Sequence, residues 1–512
     1  MNPVARAFRD AVPGLAVQDD AALAEALSAD LATPAPMPAG AVLQPGDVGQ
    51  VQALVRVARA EGIALVPRGG GWSYTGGTVA PRAPAAVVDM TGLTGITIRR
   101  DAAEVEVGAG TTWAALHAAL EAEGLRACAF GPLSGTGATV GGGAAQNGGF
   151  FGASGHGAWG DGPVHATRMV DGTAALVDFT LADRVRGLEA PQPLVGDCGA
   201  FGLRTRVTLA TMPLPAATGF VSFEFAEGAA ALAALVALRD LPGLGELFLF
   251  DPANHRNLAR AGFSVMESAG IAGDLLRARG SWWERLSGLL HTARAGKTFV
   301  ADLRWSVHLS LDGSDAAVAE AQREARRRAR ALGGHVIPDI IPRVTRSRPF
   351  RRIKALLGPS GKLWLPMHGV FSAEAAPAGL AATERVLAEH AEPMRRHGIH
   401  TVLLCSTMGA RVIVEPQIFW PDAMGPLHRR LVPPEQWQAH GARPANPEAR
   451  AAAMALRHAL IEAFDAAGAS HFQIGRSYAA HPGVPAGTRE AWAVLKRRHD
   501  PDGIMNPGAL GL

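Results

Sequence analysis

Apolar residues return every three or four positions between Val48 and Glu61. Val48, Val51, Leu54, Val55 and Ala58 share one side, which predicts an amphipathic helix. A second helix is expected from Asp20 to Leu31, before a Pro-rich turn at Pro34–Pro38. Short apolar runs at Ile63–Val66 and Val87–Met90 read as buried strands, and Ile96–Val107 as two strands around Arg100-Asp101. Thr111 and Thr112 can cap a helix running through Leu120 to Gly124. Short strands and helices thus alternate as far as Pro213 and Pro215, which mark a boundary and set off residues 1–215. Beyond Gly219 the pattern lengthens. Strands are expected at Phe220–Phe225, Leu247–Phe250, Leu303–Leu311, Val402–Cys405 and Arg411–Pro416. Helices are expected at Gly228–Arg239, Asp315–Leu332 and Pro447–Ala467, and Gln436–Pro447 reads as loop. The whole predicts an α+β protein whose second part is an antiparallel sheet covered by helices.

Composition changes this picture little. The chain has 512 residues, 48% of them apolar and 19% charged, with a net charge of +3. That balance permits more than one core. The run Arg326-Arg327-Arg328-Ala329-Arg330 lies in an Ala-rich helical stretch and reads as a solvated face, so no nucleic-acid partner is expected. The three cysteines, Cys128, Cys198 and Cys405, form no CxxC pair, which suits a reducing compartment. The N-terminus lacks the apolar core of a signal peptide, and no run reaches the roughly 18 apolar residues of a membrane span. The expected location is cytoplasmic. The sequence leaves the oligomeric state open, a homo-oligomer included.

Glycine does change it. There are 61 glycines, and many cluster in two stretches. The first is Pro67-Arg68-Gly69-Gly70-Gly71-Trp72-Ser73-Tyr74-Thr75-Gly76-Gly77, directly after a predicted strand. Without Cβ atoms such a loop lets backbone N–H groups converge on an anion, and Arg68 and Ser73 add charge and a hydroxyl. The second runs from Gly131 to Gly143 and on through Asn147-Gly148-Gly149 to His156-Gly157. Neither is a G-x-G-x-x-G fingerprint opening a helix, and neither ends in the Lys-Ser/Thr of a P-loop.

Together with Val195–Thr205 and the tail Asn506-Pro507-Gly508, these stretches resemble the FAD-binding domain of the vanillyl-alcohol oxidase / para-cresol methylhydroxylase superfamily. The resemblance covers residues 1–215 and the tail, and His156-Gly157-Ala158-Trp159-Gly160-Asp161 departs from it where members usually carry Tyr-Gly. It implies a two-subdomain FAD-binding domain, a substrate cap at about 216–455, and a C-terminal segment, 456–512, that returns to the flavin. The implied cofactor contacts are Arg68, Gly69, Gly70, Gly71, Trp72 and Ser73 on the first loop. On the second they are Gly131, Pro132, Ser134, Gly137, Thr139, Gly141, Gly142, Asn147, Gly148 and Gly157, followed by Leu203 and Asn506. Members that attach their flavin covalently use a histidine where this chain has Trp72, and some add a cysteine where it has Gly137, so FAD is expected to be non-covalent.

The implied activity is an FAD-linked oxidase or dehydrogenase acting on the CH–OH group of an alcohol, phenol, sugar-like compound or 2-hydroxy acid. Electrons would pass on to oxygen, a quinone or a redox protein. An NADPH-dependent reductase and a flavin-carrying electron-transfer subunit are the rivals. Removing hydride from a C–OH carbon calls for a nearby base. Glu415, closing an apolar strand, and His368 are candidates. Tyr478, Arg476 and Arg304 are candidate substrate contacts; His308 shares a strand face with Arg304, and His471–Tyr478 alternates like a strand. No cluster with metal-ligand spacing occurs, so no metal is expected.

Overall fold

In the computed structural model the described residues are 2–32, 37–158, 162–180, 194–261, 300–347, 349–350, 357, 360–478 and 484–512. Pro34–Pro36 and Trp159-Gly160-Asp161 lie outside them. Three sheets organise the chain, and the fold is α+β.

The first sheet orders Ala16–Gln18, Ala41–Gln44, Ala85–Asp89 and Ala64–Arg68, and the last three run parallel. Helix Val48–Glu61 makes the crossover between two of them, as its pattern predicted. The Asp47 carboxylate caps its start by accepting from the Gln50 N–H, and Gly62 ends it in the left-handed region at φ 61°. The helix buries Val51, Leu54, Val55 and Ala58 against the sheet. The second sheet is antiparallel and six-stranded, built around the long strand Gly202–Pro213. The chain's tail returns to the first sheet: Leu65 donates to the Ile504 carbonyl and Asn506 donates back to Leu65.

The third sheet is antiparallel and eight-stranded. Its order is His335–Ile337, Ala217–Phe225, Trp305–Gly313, Leu244–Phe250, His400–Met408, Arg411–Trp420 and Leu363–Pro366, with Gly369–Phe371 also paired to Arg411–Trp420. Helices Gly228–Leu238, Asp315–Ala331, Ala376–Glu389 and Pro447–Ala466 contribute to the apolar core on one face. The opposite face carries Ser222, Ser306, His308, Ser310, Glu246, Glu415 and Gln417, residues that alternate with the core-facing ones. A buried ion network ties this face to the second sheet: Arg126 of strand Leu125–Ala127 pairs with Asp312, and Arg346 bonds both Asp312 and Glu246.

Several expectations need correction. The helix expected from Asp20 to Leu31 stops at Leu27, four residues early, where Ser28 takes the cap. The loop expected at Gln436–Pro447 begins inside a helix, Pro434–His440, opened by a proline in its first turn. The stretch His471–Tyr478 is a turn, not a strand, and passes through Gly475 at φ 55°. Among the described residues, no helix is long and apolar enough to cross a membrane, and no group of three metal-ligating side chains occurs.

Candidate functional site

The first glycine loop leaves the C-terminal end of a parallel strand, where ligands of open α/β sheets gather. It presses against the second loop so closely that a Cβ on Gly70 would overlap the Gly137 carbonyl. Only glycine permits that approach. A Cβ on Gly69 would meet the Thr139 hydroxyl, which itself caps helix Val140–Gln146 by accepting from the Gly142 N–H. The Trp72 indole fills the space a side chain at position 137 would need. Two buried polar atoms here have no partner among the described residues: Ser73 Oγ on the first loop and Asn147 Oδ1 at the end of the second.

Arg68 does not present charge to this cleft. Its guanidinium turns back and donates to the Leu27 and Ala29 carbonyls at 2.9 and 2.8 Å, where a helix end leaves acceptors unsatisfied. Burial lowers it to about 10, against the opposing pull of Asp30 and Asp89. Asn506 is likewise fully engaged within the protein. Its amide donates to the Gly77 and Cys198 carbonyls and accepts from Arg476, so it fastens the tail to the first loop and to the 195–205 segment. Arg476 belongs to the same fastening, bonding the Gly76 and Pro507 carbonyls, while its buried Nε has no partner among the described residues. Leu203 is buried in the core behind the first sheet, and Gly141 packs on Ala109. Gly131 accepts from Phe150 and Phe151, the Pro132 and Ser134 carbonyls accept within their own turn, and Gly148 and Gly157 donate to Gly143 and Ala153.

A second constellation forms where the polar face of the large sheet meets the first loop. Strand Arg411–Trp420 runs straight through Pro416, although the pattern ended it there. Its partners on one side are two short strands. Pro366 pairs with Gln417 and Gly369 with Val414, so Pro416 faces the break between them, where a proline forfeits no ladder bond. That break carries His368 and adjoins Glu415. The half-buried Glu415 is pushed up to about 7 by burial, while the Gln417 amide, donating to it at 2.9 Å, holds it down. The Trp364 indole N–H donates to Gln417 at 3.0 Å and meets Tyr74 edge-on, with ring centroids 5.6 Å apart.

The chain has only two tyrosines, and both stand here. Burial, then Glu415 and Tyr478, push Tyr74 well above the usual phenol range, and Gln473 hydrogen-bonds it. Burial also raises Tyr478, whose hydroxyl accepts from the His368 backbone N–H at 3.1 Å and is hydrogen-bonded by Arg457. Arg457 also donates to the Tyr74 carbonyl, and its buried Nε has no partner among the described residues.

Of the candidates, Glu415, Tyr478 and His368 come together. His368 is not free to act as a base: its Nε2 accepts from the Phe472 N–H, and burial, then His471 and Arg457, hold it well below the usual histidine range. Arg304 is excluded. The strand begins at Trp305 rather than Leu303, and Arg304 sits just before it, with its side chain 54% exposed beside Glu224. Tyr74, Arg457, Gln417, Trp364 and Gln473 escaped sequence reasoning as members of this cluster. The scarcity of tyrosine was the available signal for one of them. For Arg457 it was a guanidinium beside the apolar stripe Ala453, Leu456, Leu460 and Phe464 of its helix.

Comparison with known proteins bears on both constellations. Residues 39–180 match the family model of an FAD binding domain. In sequence, no curated protein matches the chain. Among solved structures the chain is similar to p-cresol methylhydroxylase with substrate bound: TM-score 0.71, 14% identity, 100% of this chain and 96% of that one. It is similar to 4-ethylphenol oxidase from Gulosibacter chungangensis in its isoeugenol complex: TM-score 0.65, 16% identity, 97% and 94% of the two chains. It is also similar to alkyldihydroxyacetonephosphate synthase: TM-score 0.65, 16% identity, 96% and 82%. The residues fit the dinucleotide: the unpartnered Ser73 Oγ and Asn147 Oδ1 lie on the two glycine loops of the matched segment.

Proposed function

We propose, for a chain that carries an FAD-binding domain and has the fold of the para-cresol methylhydroxylase superfamily, that it oxidises the CH–OH group of a small, largely apolar alcohol, benzylic alcohols included. The observation that carries this reading is the convergence of half-buried Glu415 and Tyr74 with buried Tyr478 and Arg457 in one cluster beside the first glycine loop. The large-sheet part, about 216–455, then serves as the substrate cap, and 456–512 ties it to the flavin part.

FAD, when bound, supplies the hydride acceptor. Glu415 takes the proton from the substrate hydroxyl. A carboxyl titrating near 7 is ionised enough at neutral pH to accept that proton and basic enough to hold it. Gln417 keeps the carboxylate oriented through its N–H. Arg457 and the Tyr74 and Tyr478 hydroxyls supply donors for the substrate oxygen as negative charge grows there. Both phenols are raised, so they remain protonated donors across the physiological range. The walls, Trp364 and the tyrosine rings, suit an apolar or aromatic body.

The non-covalent hold on FAD rests on Trp72 and Gly137. Neither is an attachment nucleophile, and the indole occupies the room a residue at 137 would use. Flavin that stays with the polypeptide after acid precipitation would overturn this part.

The activity is tested by mixing the holoenzyme anaerobically with alcohols, phenols, sugars and hydroxy acids and following the flavin absorbance. Glu415→Gln is expected to slow bleaching by the best substrate about 100- to 10,000-fold. A loss smaller than about threefold would remove Glu415 as the base. Bleaching by NADPH alone would favour a reductase, and no bleaching by any small molecule would favour an electron-transfer subunit.

A further inference from the structure

Opposite Glu415 on the same sheet face lies a second set of buried polar side chains that the redox site does not use. Ser222 Oγ and His308 Nδ1 are 2.8 Å apart, His308 Nε2 and Ser306 Oγ 2.7 Å, and Ser306 Oγ and His255 Nε2 2.8 Å. All four residues are completely buried. His255 comes from helix Pro252–Ala261, and its ring packs on Phe250. The chain of hydrogen bonds is unfinished at one end: His255 Nδ1 is buried with no partner among the described residues.

Two proton arrangements use the Ser306 hydroxyl as both donor and acceptor. In one, Ser222 donates to His308, His308 to Ser306 and Ser306 to His255, which leaves a His255 Nδ1–H without an acceptor. In the other every bond reverses, which leaves a bare Nδ1 without a donor. A hydroxyl group completes either arrangement, because it can donate or accept. A carbonyl completes only one. Burial holds His255 down to about 4 and His308 well below the usual histidine range, so neither ring offers positive charge to a carboxylate.

The sheet relates this end to the redox site. Ser306, Phe250, Leu404 and Glu415 are successive cross-strand partners on one face. That row spans three strand spacings, about 14 Å. Its middle is apolar, with Phe250 and Glu415 half-buried and Leu404 and Ser306 buried, so the row is an apolar lane with a polar group at each end. We propose that His255, backed by Ser306 and His308, is a distal subsite that binds a neutral hydroxyl of an elongated substrate whose reacting C–OH lies at Glu415. The proposal rests on the oxidation reading for the end at Glu415; the distal end stands on the unfinished hydrogen-bond chain.

The test uses the holoenzyme and two series of benzyl alcohols carrying a para-alkoxy tail. One series ends in a hydroxyl and the other, at equal length, in a methyl. Dissociation constants come from perturbation of the flavin absorbance. At the length that spans the lane the hydroxyl series is expected to bind about 10- to 100-fold more tightly, because it satisfies a buried nitrogen left unpaired by the other. Shorter tails lose the preference. His255→Leu brings the ratio to about one, and His255→Gln, which keeps a hydrogen-bonding end, retains part of it. Equal affinities in the wild type, or a preference that survives His255→Leu in a folded, FAD-loaded protein, overturns the subsite. Glu415→Gln separates the two readings: it slows reduction by both series and leaves the affinity ratio intact. A wild type that shows the preference but never reduces its flavin sinks the oxidation reading and keeps the subsite.

Discussion

The two faces of the eight-stranded sheet are cut from the same strands and have opposite chemistry. Toward the helices point Val221, Phe223 and Phe225, then Val307, Leu309 and Leu311, then Val412, Val414 and Ile418, all buried in one apolar cluster. The next residue along each strand faces the other way and is commonly polar: Ser222, Ser306, His308, Ser310, Glu415, Gln417. On an ordinary half-exposed sheet that second face would be solvated. Here Ser222, Ser306, His308 and Ser310 are almost wholly buried. Burying polar groups is costly unless each finds a partner. Most do: Ser310 bonds Glu246, Thr218 bonds Asp312, and two arginines neutralise the two carboxylates. The exceptions are informative. Glu415, bonded by the Gln417 amide alone among the hydrogen bonds described, is pushed up to about 7, and His255 keeps a ring nitrogen without a partner among the described residues. One face holds the apolar core, and the other carries the residues of the proposed chemistry.

Substitutions on the two faces should therefore separate stability from chemistry. The largest expected effect is on the helix side. Phe223→Ala opens a hole in the buried cluster and should cost roughly 3–5 kcal/mol in urea unfolding, with the surviving folded protein reducing its flavin at the wild-type rate. A comparable fall in the reduction rate would erase the distinction between the faces. On the polar side the sign reverses. Glu415 sits near 7 folded and near 4.5 when released, so the folded state holds an extra proton between those values. Its stabilising contribution is complete below about 4.5 and is lost as pH rises through about 7. At pH 8 the wild type bears a half-buried, only partly compensated carboxylate, and Glu415→Gln should be more stable by roughly 1–3 kcal/mol. At pH 4 the difference should vanish. A variant less stable than wild type at pH 8 contradicts the assignment.

Legibility divides along sequence distance. The glycine loops announce themselves because their chemistry is contiguous: glycines placed where backbone meets backbone, directly after an apolar strand. Helix Val48–Glu61 was readable for the same reason, since its stripe, its Asp47 cap and its Gly62 stop are local. What those loops do with their side chains was not readable. Arg68 looked like an anion contact, but a helix end some forty residues earlier in the chain claimed its guanidinium. Asn506 and Arg476 each looked like a ligand contact and instead join distant segments. The redox cluster draws on residues 74, 364, 415, 457 and 478, and only the sheet's register brings them together. Pro416 misled in the same way, because the break that accommodates it lies in strands some fifty residues earlier in the chain.

The finest discrimination concerns Gln417, which tunes Glu415 without meeting substrate. Its amide is held in one orientation. The Trp364 indole can only donate, so it claims the Gln417 oxygen and leaves the N–H to Glu415. A donor to a carboxylate favours the charged form, so removing it should raise Glu415 above its value of about 7. Gln417→Leu is expected to move the rising limb of the pH–rate profile up by about half to one pH unit, the worth of one hydrogen bond. The rate should drop severalfold below neutrality and recover fully in alkali, because the base itself remains. Trp364→Phe frees the amide to turn over and should shift the profile the same way by less. The infrared band of the protonated carboxyl, followed with pH in the resting enzyme, reads the same shift without turnover. A profile that moves toward acid, or a uniform loss of rate at every pH, would mean that Gln417 shapes the site by packing alone.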